Sequence, residues 1–401
     1  MIGEEMARKG HQVTWWTATF SHQFKRSRGD AWAQLKITDC FRIEFVPTTS
    51  YMRNISISRL AFEAGFSWRL YRRLRSVVAP DCIIVREPSQ FGSFAGIQLA
   101  RRFRKPVIVD VFDLWPELFA LALPRKLRSF GKVLFFPLYW LRRYNLKHAN
   151  GCVAVCRSYL EWVRDRVPAL KTIPGEVVFI GLDIAALRDG ENVLETRPQA
   201  QLRSGKPKDE VWVIYAGTLG EHYDIQTILE AGEILKTRGS KVKIRVAGDG
   251  PLRGEMLKQI ESRKLDNVIY LGVLGSDALW DQYRVSDLAI CPYSGESTVA
   301  MPVKVYDYFA AGLPVVNSLA GELEKLIRDH GAGLQYQGGN AQSLSDAIEA
   351  MACRSAQLKE MSQNSHDLAA RFDKSTQYQK LSEFVELVVS RFRRAPPVTI
   401  A

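Results

Sequence analysis

Short apolar runs alternate with longer amphipathic segments along most of this chain. The runs at residues 81–85, 105–112 and 211–216 predict buried β-strands, because the strands of a parallel sheet are covered on both faces. Amphipathic segments between such runs, for example 94–104, predict helices that cover the sheet. Alternation at these lengths predicts an α/β protein with doubly wound parallel sheets. Residues 20–60 are polar and basic and predict irregular structure.

The densest chemistry follows the apolar run 288–291, which predicts another buried strand. Pro302 suits the first position of a helix, and Lys304 and Asp307, three residues apart, share one face of it. Gly312 is placed to end that helix. Free N–H groups at a helix start beside a lysine favour phosphate, and a carboxylate one turn further in accepts two sugar hydroxyls. The pattern indicates a nucleoside diphosphate site, although an ordinary βαβ unit with a solvated lysine and aspartate fits the spacing equally well.

The run 302–315, PVKVYDYFAAGLPV, resembles the donor-site helix of retaining glycosyltransferases of family 4. In that family two glutamates flank seven residues. Matching Asp307 to the second glutamate places Val299 at the first. The first acid is therefore absent here or is supplied by Glu296 from a shifted loop, and Glu296 becomes a candidate catalytic residue.

The resemblance covers nearly the whole chain and implies the GT-B fold, in which two Rossmann-like domains face a cleft. It implies an acceptor domain over 1–190, a nucleotide-sugar donor domain over 191–374 and a C-terminal helix over 375–392 that crosses back to the first domain. The implied activity is metal-independent transfer of a sugar, with retention, from a nucleotide donor that is a UDP-sugar rather than a GDP-sugar. The donor-binding residues that it implies are Gly217, Thr218, Gly220, Gly248, Asp249, Gly250, Leu271, Gly272, Thr298, Lys304, Val305 and Asp307.

A second candidate site follows the strand 105–112, where the sequence continues Asp113-Leu-Trp-Pro-Glu117. Ligands of open α/β sheets lie at the carboxyl ends of the strands, so Asp113 and Glu117 are candidate catalytic residues. Phe112 stands where the family often has a histidine that contacts the transferred sugar. The run is similar to one in a subgroup that acts on bacterial surface polysaccharides such as O-antigen, including N-acetylfucosaminyl transferases. A helix-capping role for Asp113 is equally open and is compatible with a catalytic one.

The opening of the chain resembles the second half of a βαβ unit, with a helix over 2–9 and a strand over 12–18. The strand that normally precedes them lies in the middle of such a sheet, where its absence leaves backbone groups of its neighbours unpaired. We therefore expect Met1 to be an internal start, with about 15–25 further residues before it in the natural protein. We expect the chain as given to be poorly stable or inactive.

The net charge of +12 is concentrated in one half of the chain. Residues 1–190 hold 30 lysines and arginines against 16 acidic residues, a net of +14, and the remainder is slightly acidic. This asymmetry indicates an anionic partner for the first half: a membrane surface, a lipid phosphate or nucleic acid. Nucleic acid is the weakest of these, because no helix-turn-helix, zinc or single-strand-binding signature is present. We expect a lipid-linked or glycan acceptor, and a peripheral enzyme on the cytoplasmic face of the cell membrane.

The segment 125–143 combines bulky apolar residues with basic flanks. It is typical of a helix in a membrane interface or of a domain helix whose apolar face lies in the core, and we favour the core. The six cysteines are scattered and indicate reduced thiols rather than a metal site. A dehydrogenase is disfavoured because Gly248-x-Gly250 lacks the rest of the dinucleotide fingerprint. A GT-B sugar-nucleotide epimerase or hydrolase is the main alternative function.

Overall fold

The computed structural model describes residues 2–22, 24–53, 56–116, 131, 133–184, 199–201, 204–295, 297 and 299–394. They form two compact units, of which unit 1 holds residues 1–179 and 375–401 and unit 2 holds residues 180–374. The last helix of the chain therefore belongs to the first unit.

Unit 1 contains two main sheets. In the first, β1 (Val13–Ala18) pairs in parallel with β5 (Phe41–Val46), which pairs in antiparallel fashion with β4 (Ala33–Lys36). A hairpin of β2 (Phe20–Ser21) and β3 (Arg26–Ser27) follows β1. The second sheet is fully parallel, and its strands in spatial order are β6 (Ile83–Glu87), β7 (Val107–Val111), β8 (Gly151–Ala154) and β9 (Gly175–Val177).

Strands β1 and β6 stand at the edges of these two sheets. Within the described residues no strand pairs with both of them. The guanidinium of Arg86 on β6 lies 5.6 Å from the ring centroid of Trp15 on β1, so the two edges are near each other.

The prediction of irregular structure over residues 20–60 is wrong for much of that region, which supplies β2 to β5. The apolar positions of β5 alternate with charged ones, and its ends at Phe41 and Val46 are fully buried. The helix α1 (Ile2–Arg8) packs closely on this strand, since a Cβ atom on Gly3 would lie 2.5 Å from the Phe41 ring. Alternation over residues 41–46 was the available signal for a strand.

Within the described residues, the helices of unit 1 are α1, α2 (Ile57–Leu74), α3 (Gln90–Phe103), α4 (Phe136–Lys147), α5 (Arg157–Arg166) and, toward the end of the chain, α13 (Lys374–Arg394). Ser56 and Ser89 cap α2 and α3 by accepting backbone N–H bonds with their hydroxyls, as expected of N-cap serines. Phe384 and Val388 of α13 lie against β8, where a Cβ atom on Gly151 would be 2.7 Å from Val388. Apolar burial therefore joins the end of the chain to unit 1.

Helix α4 carries polar as well as apolar residues on its buried face, and it exposes two aromatic residues. Phe136 and Trp140 are 62% and 56% exposed, whereas Arg142 and Asn145 are buried. Arg142 Nε donates to Glu87 Oε2 at 2.9 Å, and the Asn145 side-chain amide donates to the backbone of α3. Of the segment 125–143, Leu138 and Leu141 are half-buried whereas Phe136 and Trp140 face solvent, and residues 125–130 and 132 lie outside the described residues. No helix in the described part of the chain is both long and apolar enough to cross a membrane.

Unit 2 is a six-stranded parallel sheet covered by helices. The spatial order is β12 (Val268–Gly272), β11 (Val242–Ala247), β10 (Val211–Ala216), β13 (Leu288–Cys291), β14 (Val315–Asn317) and β15 (Gly333–Gln335). The helices in its described part are α6 (Ile225–Thr237), α7 (Arg253–Ser262), α8 (Ser276–Val285), α9 (Val303–Ala310), α10 (Glu322–His330), α11 (Ala341–Ala352) and α12 (Ser355–Ala369). The order reverses between β10 and β13, and such a switch point opens a crevice at the carboxyl ends of the strands.

Candidate functional site

Three loops meet at the carboxyl edge of the unit 2 sheet, after β10, β11 and β12. Gly217 N–H donates to Ala247 O at 3.0 Å, and Gly248 N–H donates to Gly272 O at 2.8 Å. Leu219 N–H in turn donates to Asp249 O at 2.9 Å. The predicted donor-binding glycines therefore lie together, joined by backbone hydrogen bonds.

The glycines of the middle loop are required by the neighbouring loop. Gly248 has a φ of +136°, and a Cβ atom there would lie 1.8 Å from Gly217 O. Gly250 has a φ of +158°, and its Cβ atom would lie 2.3 Å from Leu219 O. The absence of a side chain at these two glycines therefore allows one backbone loop to pack directly on another.

Two groups of backbone N–H donors, in the loop after β10 and at the start of α9, have no hydrogen-bond acceptor in the described part of the protein. Within the described residues, the N–H groups of Thr218 and Gly220 donate to no protein acceptor, and neither do those of Val303 and Lys304 at the start of α9. Pro302 is the N-cap of α9 rather than its first helical residue, a shift of one position from the prediction. Unpaired donors at a helix start carry partial positive charge and favour an anion.

Lys304 lies between these two groups of donors. Its ammonium is buried and has no hydrogen-bond partner in the described part of the chain. It lies over three tyrosine rings, 4.4 Å from the centroids of Tyr215 and Tyr223 and 5.5 Å from that of Tyr293. Burial lowers the pKa of Lys304 to about 8, against a small opposing effect of the nearby Cys291. The aromatic faces offset part of the desolvation, but a buried ammonium without a hydrogen bond is a strained arrangement unless an anion completes it.

The tyrosine cage around Lys304, formed by Tyr215, Tyr223 and Tyr293, was not found from the sequence. Tyr215 is on β10, Tyr223 precedes α6 and Tyr293 follows β13. The Tyr223 and Tyr293 rings contact each other with centroids 5.0 Å apart. A tyrosine near the carboxyl end of a strand was the only signal available, and it does not distinguish a core residue from a site residue.

Asp307 lies one turn after Lys304 on α9. Burial raises the pKa of its carboxyl to about 6, and the charge of Lys374 partly opposes that shift. The helix ends as predicted: Gly312 has a φ of +64°, and Leu313 N–H returns to Tyr308 O at 2.8 Å. The carboxylate therefore sits on a short, well-terminated helix whose first turn carries the lysine.

The other predicted donor-binding residues differ in their solvent exposure. Val305 is fully buried and its N–H donates to Pro302 O, so its own groups are engaged in the fold. Asp249 is largely exposed, and its Oδ1 accepts from Gly250 N–H at 2.9 Å. Leu271 is half-buried on β12. Thr298 lies outside the described residues, as do the candidate catalytic residues Glu117 and Glu296.

Asp113 follows β7 in unit 1. Its Oδ1 accepts the N–H of Leu114 at 2.8 Å, which is the local bond expected of a turn or cap. Burial raises the pKa of the Asp113 carboxyl, while bonds to Leu114 and Trp115 and the charges of Arg142 and Arg59 oppose the shift. A half-buried carboxylate between two arginines suits either capping or proton transfer. Within the described residues no group of three or more His, Cys, Asp or Glu side chains is arranged to hold a metal ion.

Two family models match this chain in succession. The model of Glycosyltransferase Family 4 matches residues 1–178, and that of Glycosyl transferases group 1 matches residues 197–367. The chain belongs to glycosyltransferase family 4. The match of both models in this order agrees with the resemblance carried by the run 302–315.

The relatives of this family 4 chain share modest identity with it. It is 26% identical over 187 residues to an alpha-monoglucosyldiacylglycerol synthase of Streptococcus pneumoniae, an alignment that covers 46% of this chain and 41% of the relative. The chain spans about half the length of the first curated relatives that it matches.

Solved structures identify the fold. A sucrose-phosphate synthase from Thermosynechococcus elongatus superposes with a TM-score of 0.74 at 15% identity, over 97% of this chain and 92% of that one. The Anabaena protein HepE, crystallised with UDP, superposes with a TM-score of 0.64 at 16% identity, over 86% of each chain. The family 4 chain therefore has the α/β GT-B fold with two Rossmann-like, parallel-sheet domains, as predicted.

Proposed function

We propose that this chain is a retaining glycosyltransferase that moves a sugar from a nucleoside diphosphate to a glycan or lipid-linked acceptor in bacterial surface polysaccharide synthesis. The observation that carries the proposal is the buried Lys304 ammonium, which has no hydrogen-bond partner among the described residues and lies between two groups of N–H donors that are unpaired there. A diphosphate is the anion that such a site fits, because it presents several acceptor oxygens to amides and to a cation at once.

The proposed roles follow from the positions in unit 2. Thr218 and Gly220 donate their N–H groups to the diphosphate, and Lys304 neutralises it without a divalent cation. Asp307 accepts the ribose hydroxyls in its ionised form. The loops at Gly248 and Gly272 lie beside this point and are the proposed lining toward the base.

The reaction needs one bond to break and one to form on the same face of the sugar. The bond from the anomeric carbon to the diphosphate oxygen breaks, and a bond to the acceptor hydroxyl oxygen forms. The proton of that hydroxyl leaves to a diphosphate oxygen or to a carboxylate. Lys304 and the free amides stabilise the charge that develops on the departing diphosphate. Asp113, Glu117 and Glu296 are the proposed catalytic carboxylates.

UDP is the proposed nucleotide, rather than GDP. The protein HepE, which shares the fold over 86% of this chain, was crystallised with UDP. The proposed acceptor is lipid-linked, and the chain is proposed to act on the cytoplasmic face of the membrane. Exposed Phe136 and Trp140 on α4, together with the basic excess of the first half, support contact with an anionic lipid surface. The S. pneumoniae relative is named for a glycolipid product.

A panel of UDP- and GDP-sugars tests the proposal. Thermal stabilisation by one or more UDP-sugars is expected, and it is expected to be lost in Lys304→Ala while chelation of metals leaves it intact. Transfer to a lipid-linked acceptor should then retain the anomeric configuration. Release of free sugar or an epimer without any acceptor would instead support the epimerase or hydrolase alternative. The absence of any nucleotide effect would contradict the donor site itself.

A further inference from the structure

Unit 1 contains a cluster of cationic and aromatic side chains that the donor site does not use. We call it the Tyr51 cluster, and its members are His22, Lys25, Tyr51, Arg59 and Trp115. The His22 Nδ1 atom shares a short hydrogen bond with the Tyr51 hydroxyl. The Lys25 ammonium lies 4.4 Å from the centroid of the Tyr51 ring, and the Arg59 guanidinium lies 5.6 Å from it.

The cluster lies where the carboxyl ends of both unit 1 sheets meet. Lys25 is in the hairpin that follows β1, Tyr51 is in the loop after β5, and Trp115 is in the loop after β7. Arg59, in the first turn of α2, contacts both sides, since its guanidinium is also 3.8 Å from the Trp115 ring centroid. Ligands of open α/β sheets bind in the crevice outside the carboxyl ends of the strands.

Positive charge is concentrated here. His22 has a lowered pKa because of burial first and then the charges of Arg59 and Lys25. The pKa of Lys25 is lowered by burial and by Arg59. Glu63, one turn after Arg59 on α2, is buried and pairs with Arg59 Nε at 3.3 Å, yet His22 and Lys25 still experience the field of Arg59. The same hairpin adds Arg26 and Arg28, which line a cleft with Ser21, Phe24 and Ser27.

The backbone holds one of these cations in an unusual conformation. Lys25 has a φ of +51°, in the left-handed region that residues other than glycine, asparagine and aspartate rarely adopt. Such strain persists only where the surrounding structure fixes it, and it recurs at ligand sites. Here it places the lysine over the Tyr51 ring, beside His22.

We propose that the Tyr51 cluster binds a phosphate group of the acceptor. Lysine, histidine and the hairpin arginines are donors that suit the several oxygens of a phosphate, and Arg59 beneath them supplies further positive charge. The cluster is continuous with the candidate catalytic carboxylate, since the Asp113 side chain bonds to Trp115 and experiences the charge of Arg59. The cluster and Asp113 therefore belong to one continuous group of side chains in unit 1. This inference rests on the proposed function and names the substrate class for it.

The test follows the imidazole of His22 by NMR, with the signal assigned from the His22→Gln variant. Inorganic phosphate is expected to shift the His22 resonances and to raise its pKa. Lys25→Glu should weaken phosphate binding about tenfold or more, in line with the loss of a charge-assisted contact. Lys25 is on a surface hairpin, so the variant should fold. Lys9→Glu, an exposed lysine after α1 at the amino end of β1, is the matched control and should bind phosphate as the parent does.

Two further arms separate the sources of the phosphate. Displacement of inorganic phosphate by a soluble sugar phosphate supports a phosphate on the acceptor's sugar. The same His22 response to phosphatidylglycerol vesicles, but not to soluble phosphates, supports a phosphate presented by a lipid.

No response of His22 to tens of millimolar phosphate or to vesicles, in a protein that binds UDP normally, overturns this inference and leaves the proposed function standing. Failure to bind UDP together with a normal His22 response contradicts the proposed function alone.

Discussion

Lys304 and Gly217 are so close that a Cβ atom on Gly217 would lie 2.7 Å from the Lys304 Nζ atom. The absence of a side chain at Gly217 therefore leaves room for the ammonium over the tyrosine cage. The contact joins the loop after β10 to the first turn of α9, two segments nearly ninety positions apart in the chain.

We expect Gly217→Ala to weaken UDP binding by about tenfold or more, because the new methyl group displaces the ammonium from its place between the free amides. The φ of +153° at this position adds strain of about 1 kcal/mol for alanine. Calorimetric titration with UDP measures the effect. Gly295→Ala is the control, since a Cβ atom there meets nothing within 4 Å. Equal UDP affinities in the two variants would contradict this role for Gly217.

Lys304→Met should stabilise the protein while it weakens nucleotide binding. Burial lowers the pKa of Lys304 from 10.5 to about 8. Below pH 8 the lysine is charged in both states, and the charged form is less stable in the folded state because it is removed from water. The shift corresponds to a gain of at most about 3 kcal/mol in the free energy of unfolding when the charge is removed. Urea unfolding at pH 7 measures it.

The lowered pKa of Lys304 also determines how the stability gained by Lys304→Met depends on pH. Between pH 8 and 10.5 the unfolded state binds a proton at this lysine that the folded state does not, so the stability of the parent protein rises with pH in that window. The difference between the parent and Lys304→Met should therefore shrink as pH approaches 10. Lys258→Met, at an exposed lysine of α7, should change stability little at either pH. If the difference in free energy of unfolding between the parent and Lys304→Met stays constant with pH, Lys304 is not buried as described.

Asp307→Ala should weaken UDP binding about 10- to 150-fold, the range for loss of a charge-assisted hydrogen bond of roughly 1.5–3 kcal/mol. Asp367→Ala, in α12, is the control for removal of a carboxylate. Unchanged affinity in a folded Asp307→Ala protein would remove the ribose role.

The affinity for a UDP-sugar should follow a bell-shaped pH profile. In the proposed site, ribose binding needs Asp307 ionised, so its pKa of about 6 is expected to set the acid limb. Diphosphate binding needs Lys304 protonated, and its pKa of about 8 sets the alkaline limb. Lys304→Arg should move the alkaline limb to higher pH, because arginine stays charged. If the alkaline limb of the affinity profile does not move in Lys304→Arg, a group other than Lys304 determines that limb.

Helix α4 should anchor the chain to anionic vesicles through Phe136 and Trp140. Flotation of the protein with such vesicles is expected to be lost at high salt, since each basic residue near the surface contributes about 1 kcal/mol and is screened. Replacing both aromatic residues with serine should reduce flotation at low salt. Val273→Ser, which changes a 70% exposed residue of unit 2, should not. Equal flotation with neutral vesicles would count against an electrostatic contribution.

The local sequence pattern was sufficient to predict most strands and helices, including the helix that carries Lys304 and Asp307. The apolar run 288–291, the spacing of these two residues and the stop at Gly312 are properties of neighbouring positions. The backbone enforces them through helix and strand periods and the left-handed φ of glycine. The sequence missed β5 because its alternating pattern lay within a polar, basic region that masked it.

The tertiary structure alone decided what surrounds those residues. The tyrosine cage joins residues from β10, the start of α6 and the end of β13, and the order of strands in the sheet brings them together. The contact of Gly248 with Gly217 O and the burial of Arg142 on α4 have the same origin. Such contacts depend on which strands are neighbours and how closely two loops approach, and no periodicity along the chain encodes that.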